Sequence, residues 1–245
     1  MIDIHSHILP GVDDGAMNIE ESLEMAAMAA ESGVDYIVAT PHCNIPGVYD
    51  NYWGPSMKES LVKLRRAVNE CDIPIRVVAG MEIFVTPELP DLFRKKKLLT
   101  LNGTRYFLTE FDFSEDMQEC DKVLKECKSL GFIPVIAHPE RYYFIQEYPE
   151  YVFEWLKQGY GIQVNKGSIL GRFGRAARRT ADTLLEQGMI SCVASDAHSS
   201  YQRTPFMGEI YDYLMEEYGP AYTQVLLENN PKRILAGKEL VKNWG

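Results

Sequence analysis

Short apolar runs and longer amphipathic stretches alternate along the whole chain. Runs of three to five mostly apolar residues are typical of strands buried on both faces of a parallel sheet, and each is followed by apolar residues at helical spacing. This pattern predicts strands at residues 2–4, 36–39, 75–79, 105–108, 133–137, 162–164 and 190–194. Roughly seven strands that alternate with helices indicate an α/β fold, a parallel β/α barrel.

The helices between these strands are predicted from apolar spacing and from end signals. Asn18 and Glu21 form a capping-box pattern at the start of the first helix, and Gly33 ends it. Further helices are predicted at residues 56–69, 87–97, 117–130, 150–158, 174–186, 206–218 and 222–228. Because no internal repeat or low-complexity linker interrupts the pattern, we expect residues 1–245 to form a single domain.

Composition and charge narrow the class of function. The chain has 46% hydrophobic and 24% charged residues, as ordinary globular proteins do. The net charge is −10, from 35 acidic and 25 basic residues, so the field of the protein repels nucleic acid while its carboxylates attract cations. Without a leader pattern or an apolar run of about 18 residues, we expect a cytoplasmic protein with no membrane insertion.

The cysteines show neither a disulfide framework nor the pattern of a covalent catalytic nucleophile. Their odd number and the absence of CxxC spacing fit reduced thiols rather than a disulfide framework. A covalent cysteine mechanism needs an arginine six residues after the thiolate. The residues at that distance from the five cysteines are Tyr49, Val77, Glu126, Ile133 and His198. The sequence therefore does not support this covalent cysteine mechanism.

The five histidines all follow predicted strands, at their carboxyl ends. In a β/α barrel these ends converge on one face, where active sites of this architecture lie. Carboxylates occupy similar positions after strands or in the first loop, which gives the set His5, His7, His42, His138, His198, Asp14, Glu82, Glu110 and Asp196. Any single member could be a hydrogen-bonded core residue. Nine such groups together exceed the needs of one metal and predict two or three ions.

Five motifs connect this pattern to a known family. HSHILPGVDDG, ATPH, GMEI, AHPERY and SDAH, in this order, resemble the PHP metal-dependent phosphoesterases and, more narrowly, the CpsB-type tyrosine phosphatases of bacterial capsule and exopolysaccharide synthesis. The resemblance covers nearly the whole chain. It implies a distorted PHP-type barrel and a trinuclear manganese site with the nine residues above as ligands. Either Asp13 or Asp14 could supply the first aspartate.

The resemblance also implies a function. It assigns phosphate binding to Arg141 and Arg203, which could pair bidentately with phosphoryl oxygens, although surface salt bridges are the alternative. The implied enzyme is a manganese-dependent phosphatase in which a metal-bridging hydroxide attacks phosphotyrosine on a bacterial tyrosine kinase of polysaccharide synthesis. Iron, zinc or magnesium could replace manganese, and a homo-oligomer is compatible with the sequence. The alternatives are a histidinol-phosphate or other small-molecule phosphatase, a phosphodiesterase, and a non-catalytic metal-binding PHP module.

Overall fold

The computed structural model describes residues 1–114 and 117–242 of the chain. Within these residues there are nine strands, and all paired strands run parallel. The strands are β1 (Ile2–Ser6), β2 (Tyr36–Ala39), β3 (His42–Cys43), β4 (Arg76–Ala79), β5 (Glu82–Phe84), β6 (Tyr106–Glu110), β7 (Ile133–Ala137), β8 (Gly161–Asn165) and β9 (Cys192–Ala194).

Two of the seven predicted strands, β2 and β4, are each followed by a second short strand that was not predicted, which explains the higher count. The chain leaves β2 in one sheet and enters the other as β3 after Thr40 and Pro41, and it passes in the same way from β4 to β5 through Gly80 and Met81. Pro41 cannot donate a ladder hydrogen bond because its nitrogen carries no proton. The segments form one sheet in the order β1-β2-β4 and another in the order β3-β5-β6-β7-β8-β9.

The first and last strands are also connected, so the strand order returns to its start. Ser6 and Ala197 form an isolated parallel bridge. The backbone N–H of His7 donates to the carbonyl of Ala197 at 2.8 Å, and the N–H of Asp196 donates to the carbonyl of His5 at 2.9 Å. The fold is therefore a distorted parallel β/α barrel, as predicted.

Ten helices surround the strands in the described residues. They are α1 (Ile19–Glu31), α2 (Pro55–Glu70), α3 (Leu89–Arg94), α4 (Met117–Ser129), α5 (Tyr143–Glu147), α6 (Tyr151–Lys157), α7 (Lys166–Ile169), α8 (Gly174–Glu186), α9 (Gly208–Gln224) and α10 (Asn230–Leu235). The short helices α5, α7 and α10 were not predicted. The predicted break near residue 220 is a kink inside α9, where Gly219 has φ 77° and precedes Pro220. No described helix combines the length and the apolar character that a membrane span requires.

The start of α1 shows how the sequence signal works locally. Asn18 caps the helix, since its side-chain oxygen accepts the N–H of Glu21 at 2.9 Å. The Glu21 carboxylate accepts from the N–H of Met17 at 2.9 Å. In a complete capping box that second bond would come from Asn18 itself, so the reciprocal half of the predicted box is displaced by one residue.

Side chains that face the inside of the barrel are apolar along the strands and become acidic at the carboxyl ends of the strands. A smaller apolar cluster, formed by residues of β1, β2, β4, β6, β7 and β9 together with Leu101 and Ile234, lies inside the ring of strands. A larger cluster packs between strands and helices. Tyr106 and Leu108 of β6 belong to the inner cluster, and the next residue on the same face is Glu110. In the same way, Asp196 follows the inward-facing Cys192 and Ala194. Inward columns of side chains thus change from apolar to acidic at the carboxyl ends of the strands.

Candidate active site

The nine predicted ligand residues meet at the carboxyl ends of the strands. Eight of them form three overlapping groups whose ligand atoms lie within 4.8 Å of one another, namely His7, Asp14, His42 and His198; His5, His7 and Asp196; and His42, Glu82 and Glu110. The ninth, His138, is joined to them through Glu82, because its Nε2 lies 2.9 Å from Glu82 Oε1. One continuous cluster of imidazoles and carboxylates results.

Glu82 lies at the centre of the cluster and is fully buried. Besides His138, its Oε1 faces His5 Nε2 at 3.2 Å. Its Oε2 faces His7 Nε2 at 3.2 Å and His42 Nδ1 at 3.0 Å. A single carboxylate therefore contacts four imidazoles that come from three different parts of the barrel.

The charged groups of the cluster shift one another's pKa values. Burial alone would raise the pKa of Glu82, but the neighbouring imidazoles of His5 and His42 hold that pKa well below its usual range. Burial alone would lower the pKa of His42, but Glu82 and Glu110 raise it to about 10. The pKa of Asp196 is held low against its burial by His5 and Arg203. The carboxylates thus stay negative inside the protein and require nearby positive charge.

The unsatisfied atoms of the cluster fit a bound cation. His42 Nδ1 lies 3.0 Å from Glu82 Oε2 and 2.7 Å from Glu110 Oε1. All three atoms are buried and have no hydrogen-bond partner of acceptable geometry. Buried polar atoms without partners are costly, and a divalent cation shared by these atoms would satisfy them together. Mixed imidazole and carboxylate ligands suit zinc, iron and manganese better than magnesium.

The loop after β1 gives its two aspartates different surroundings. The Asp13 carboxylate accepts hydrogen bonds from His7 Nδ1 at 2.7 Å, from the backbone N–H of His42 at 2.8 Å and from that of Gly15 at 3.0 Å. Asp14 is half exposed, and its Oδ1 lies 3.6 Å from the Nε2 atoms of both His42 and His198. Asp13 therefore holds His7 in place, whereas Asp14 faces the cluster.

Gly15 keeps this loop close to the site. A Cβ atom at Gly15 would lie 2.1 Å from the carbonyl oxygen of His7. The loop can therefore pack directly against the first histidine pair only because this residue has no side chain.

The surroundings of Asp13 also change its pKa. Burial would raise the pKa of Asp13, but the charge and hydrogen bond of His7 lower it to about 2.

The two predicted arginines converge on one oxygen of the cluster. Arg203 Nη2 donates to Asp196 Oδ2, and Arg141 Nη1 lies 3.7 Å from the same atom. The ring of Phe173 lies beside both guanidinium groups, with centroid distances of 4.7 Å to Arg141 and 5.3 Å to Arg203. Phe113 contacts Arg141 at 4.7 Å as well. Both arginines are partly exposed, so they line the open side of the cluster rather than a remote surface.

Backbone geometry is unusual at three of these positions. His138, Asp196 and Arg203 have φ values of 37°, 50° and 53°, in the left-handed region that non-glycine residues rarely adopt. Such conformations cost free energy and occur preferentially at functional sites. They turn each side chain toward the cluster where the regular strand has already ended.

The structure places two of the predicted ligands at a different point of their strands from the predicted one. His42 was expected at the end of a strand, but it begins β3. Glu82 likewise begins β5 rather than following a single continuous strand. The reason in both cases is the interruption of the strand two residues earlier. Because the chain resumes its direction afterwards, His42 and Glu82 pair with each other across β3 and β5.

Several residues around the cluster were not recognised as part of the site. Gln163 and Asn165 contact candidate ligands, and their polar side chains at alternate positions of a fully buried strand were an available signal. Tyr49 stacks on His42 with ring centroids 5.5 Å apart. Phe113 and Phe173 contact the arginines, but no local pattern distinguishes them from other aromatic residues in loops.

The chain is similar over most of its length to known proteins. The family model for capsular polysaccharide synthesis proteins of the CpsB/CapC type matches residues 1–236. The tyrosine-protein phosphatase YwqE of Bacillus subtilis is 38% identical over 229 residues, which cover 94% of this chain and 89% of YwqE. The tyrosine-protein phosphatase CpsB of Streptococcus pneumoniae is 33% identical over 242 residues, covering 96% and 98% of the two chains.

Solved structures agree at the level of the fold. A crystal structure from a study of Bacillus subtilis YwqE and Streptococcus pneumoniae CpsB, described there as unique metal-dependent tyrosine phosphatases, matches with a TM-score of 0.91. The sequence identity is 36%, and the match covers 99% of this chain and 97% of the other. A lactonase from Listeria monocytogenes matches with a TM-score of 0.64 at 13% identity, which reflects a shared fold alone.

Proposed function

Because the chain belongs to the CpsB/CapC family of capsular polysaccharide synthesis proteins, we propose that it is a metal-dependent protein-tyrosine phosphatase. The observation that carries this proposal is the junction at Asp196, where the cluster of candidate metal ligands meets two partly exposed arginines. Such a junction brings together the two requirements of phosphoester hydrolysis, namely metal ligands and donors for phosphoryl oxygens.

We propose that the cluster holds two or three divalent cations, with manganese preferred. The proposed ligands are His5, His7, Asp14, His42, Glu82, Glu110, His138, Asp196 and His198. When bound, the cations activate water and neutralise phosphoryl charge. Mixed imidazole and carboxylate ligands support manganese over magnesium, and iron or zinc fits the same ligands. Asp13 acts on this site indirectly, by holding the His7 ring with its Nε2 toward Glu82.

The proposed role of Arg141 and Arg203 is to bind the phosphoryl group and stabilise its charge in the transition state. Their guanidinium groups lie next to the same carboxylate oxygen, so both can reach one small anion. Phe173 lies beside both guanidinium groups and limits their freedom. Arginine suits this role because its planar fork can bind two phosphoryl oxygens at once.

The proposed substrate is phosphotyrosine in a protein, and the proposed partner is a bacterial tyrosine kinase of polysaccharide synthesis. The names of the relatives support the first part. The leaving group of phosphotyrosine is a phenol with a pKa near 10, which needs little protonation in order to leave. A site with many metal ligands and no evident general acid can therefore hydrolyse it. Aromatic side chains beside the cluster, at Tyr49, Phe113 and Phe173, offer contacts for the substrate ring.

We place this activity in the cytoplasm and in one domain formed by residues 1–245. All five cysteines lie in the described part of the chain, and no disulfide joins them, as a reducing compartment favours. The net charge of −10 argues against a nucleic-acid partner.

A parallel substrate assay tests the proposal. Purified protein with Mn²⁺ is offered a phosphotyrosine peptide, histidinol phosphate and a phosphodiester, and the same reactions are repeated with excess EDTA. We expect the highest kcat/KM on the peptide, loss of turnover in EDTA, and better recovery with Mn²⁺ than with Mg²⁺. A higher kcat/KM on either of the other substrates would identify a different phosphoesterase. Metal binding without any turnover would indicate a non-catalytic module.

A further inference from the structure

Two amide side chains of β8 connect two of the proposed metal ligands. His5 Nδ1 lies 2.8 Å from Gln163 Oε1, Gln163 Nε2 lies 2.8 Å from Asn165 Oδ1, and Asn165 Nδ2 lies 2.6 Å from Asp196 Oδ2. Gln163 and Asn165 share one face of the strand because they are two residues apart. His5, Gln163 and Asn165 have no exposed surface, and Asp196 is almost fully buried. We call this chain of hydrogen bonds the β8 amide relay.

The acidic end of the relay determines the direction of every bond in it. The Asp196 carboxylate can only accept, so Asn165 must present its NH₂ group there and its carbonyl oxygen toward Gln163. Gln163 must then donate through its NH₂ group and turn its own carbonyl oxygen toward His5. This oxygen can only accept, which means that Nδ1 of His5 carries the proton. No alternative orientation of the two amides satisfies all three contacts.

This direction has consequences at both ends of the relay. With its Nδ1 proton engaged, His5 presents Nε2 to the cluster, where it lies 3.2 Å from Glu82 Oε1. With Oδ2 occupied by Asn165 and Arg203, Asp196 presents Oδ1, which lies 3.4 Å from His5 Nε2 and 3.5 Å from His7 Nε2. Each ligand is therefore oriented by the atom that does not face the cluster.

We propose that Gln163 and Asn165 are positioning residues that act as one unit to orient His5 and Asp196 for metal binding. Neither amide reaches the open side of the cluster, so their effect passes through the ligands. Hydrogen bonds that orient metal ligands in this way typically contribute tenfold to a hundredfold to metal affinity. Because Asp196 Oδ2 also accepts from Arg203, the relay connects the proposed metal site to a phosphate-binding arginine.

The test measures Mn²⁺ affinity in the full chain, and the inference rests on the proposed metal site. Gln163→Met and Asn165→Leu replace each amide by an apolar group of similar size, and the double variant completes the cycle. Binding is followed by electron paramagnetic resonance of free Mn²⁺ with a competing chelator, so no turnover is needed. We expect each single variant to bind at least about tenfold more weakly. The double variant should bind Mn²⁺ only slightly more weakly than the single variant that has the lower affinity.

The matched control is Asn230→Leu, which removes another fully buried amide. Asn230 donates to the carbonyls of Ser191 and Val241, away from the candidate ligands, and it should reduce stability without changing Mn²⁺ affinity. If a relay variant does not fold, as judged by circular dichroism, Gln163→Ala and Asn165→Ala replace it, since they leave the pairing of β8 unchanged.

The outcomes separate this inference from the proposed function. His5→Ala is measured alongside; if it binds Mn²⁺ like the wild type, the ligand assignment and the relay are both wrong. If His5→Ala loses affinity while both relay variants bind within twofold of the wild type, only the relay is wrong. Losses that multiply in the double variant would show two independent residues and would overturn the inference of a single unit.

Discussion

Replacing Asp13 and Asp14 one at a time should produce two different defects. Asp13 is largely buried and accepts three hydrogen bonds, from His7, Gly15 and the backbone of His42. Asp14 has a side chain that is 54% exposed and faces the cluster at 3.6 Å. We therefore expect Asp13→Asn to destabilise the fold, and Asp14→Asn to weaken metal binding while leaving the free energy of unfolding nearly unchanged.

The size of the first defect follows from protonation. The pKa of Asp13 falls from 3.8 to about 2 in the folded protein. A shift of nearly two units corresponds to roughly 2.5 kcal/mol of folding free energy at 1.36 kcal/mol per unit. Because the folded pKa is the lower one, this contribution is present above about pH 4 and is lost as the pH falls toward 2. Asparagine cannot supply it at any pH, and its NH₂ group would also face donors.

The assay is urea unfolding in EDTA, which removes any contribution from bound metal, combined with elemental analysis after loading with Mn²⁺. At pH 7, Asp13→Asn should lower the free energy of unfolding by about 2.5 kcal/mol, and the difference from the wild type should shrink toward pH 2. Asp14→Asn should unfold within about 0.5 kcal/mol of the wild type but bind less Mn²⁺. Equal stability losses, or a larger metal loss in Asp13→Asn, would refute this division of roles.

Three further predictions concern the rest of the site. Arg141→Ala and Arg203→Ala should each lower kcat about a hundredfold while retaining metal, since a charged donor to a phosphoryl group typically contributes about 3 kcal/mol. The control is Arg66→Ala, which removes an arginine from an exposed ion pair with Glu70. A near-normal kcat in Arg141→Ala and Arg203→Ala would contradict the proposed role of these arginines. Mn²⁺ affinity should rise at least about tenfold per pH unit from 6 to 8, because His42, with a pKa of about 10, must release its proton to bind metal, and the raised pKa values of His5 and His7 add to this competition. Titrations that show no pH dependence would exclude the competition between protons and metal. Phe173→Leu should lower kcat/KM about tenfold with metal content unchanged, because two cation–π contacts of about 0.5–1 kcal/mol each are lost. Unchanged kinetics would show that Arg141 and Arg203 hold their positions without the aromatic ring.

Local periodicity was sufficient to predict the barrel and most residues of the cluster. In a strand the side chains alternate, so Glu110 had to share a face with Leu108 and Tyr106, and His5 and His7 had to be near neighbours. Their Nε2 atoms lie 3.3 Å apart. The parallel βα order then brought all strand ends to the same face, which required no knowledge of individual contacts.

Tertiary structure alone decided what happens beyond the ends of the strands. Asp13 and Asp14 are adjacent and chemically identical, and only the packing of the loop against His7 and His42 gives them different surroundings. The left-handed backbone at His138 and Asp196 turns these side chains in directions that no period predicts. Contacts such as Asn165 with Asp196, or Phe173 with two arginines, join residues far apart in the chain. Sequence spacing predicts the direction of a side chain only where the backbone has a regular, repeating geometry. Many side chains of this site lie beyond the strand ends, where the backbone is irregular and only the tertiary structure determines their direction.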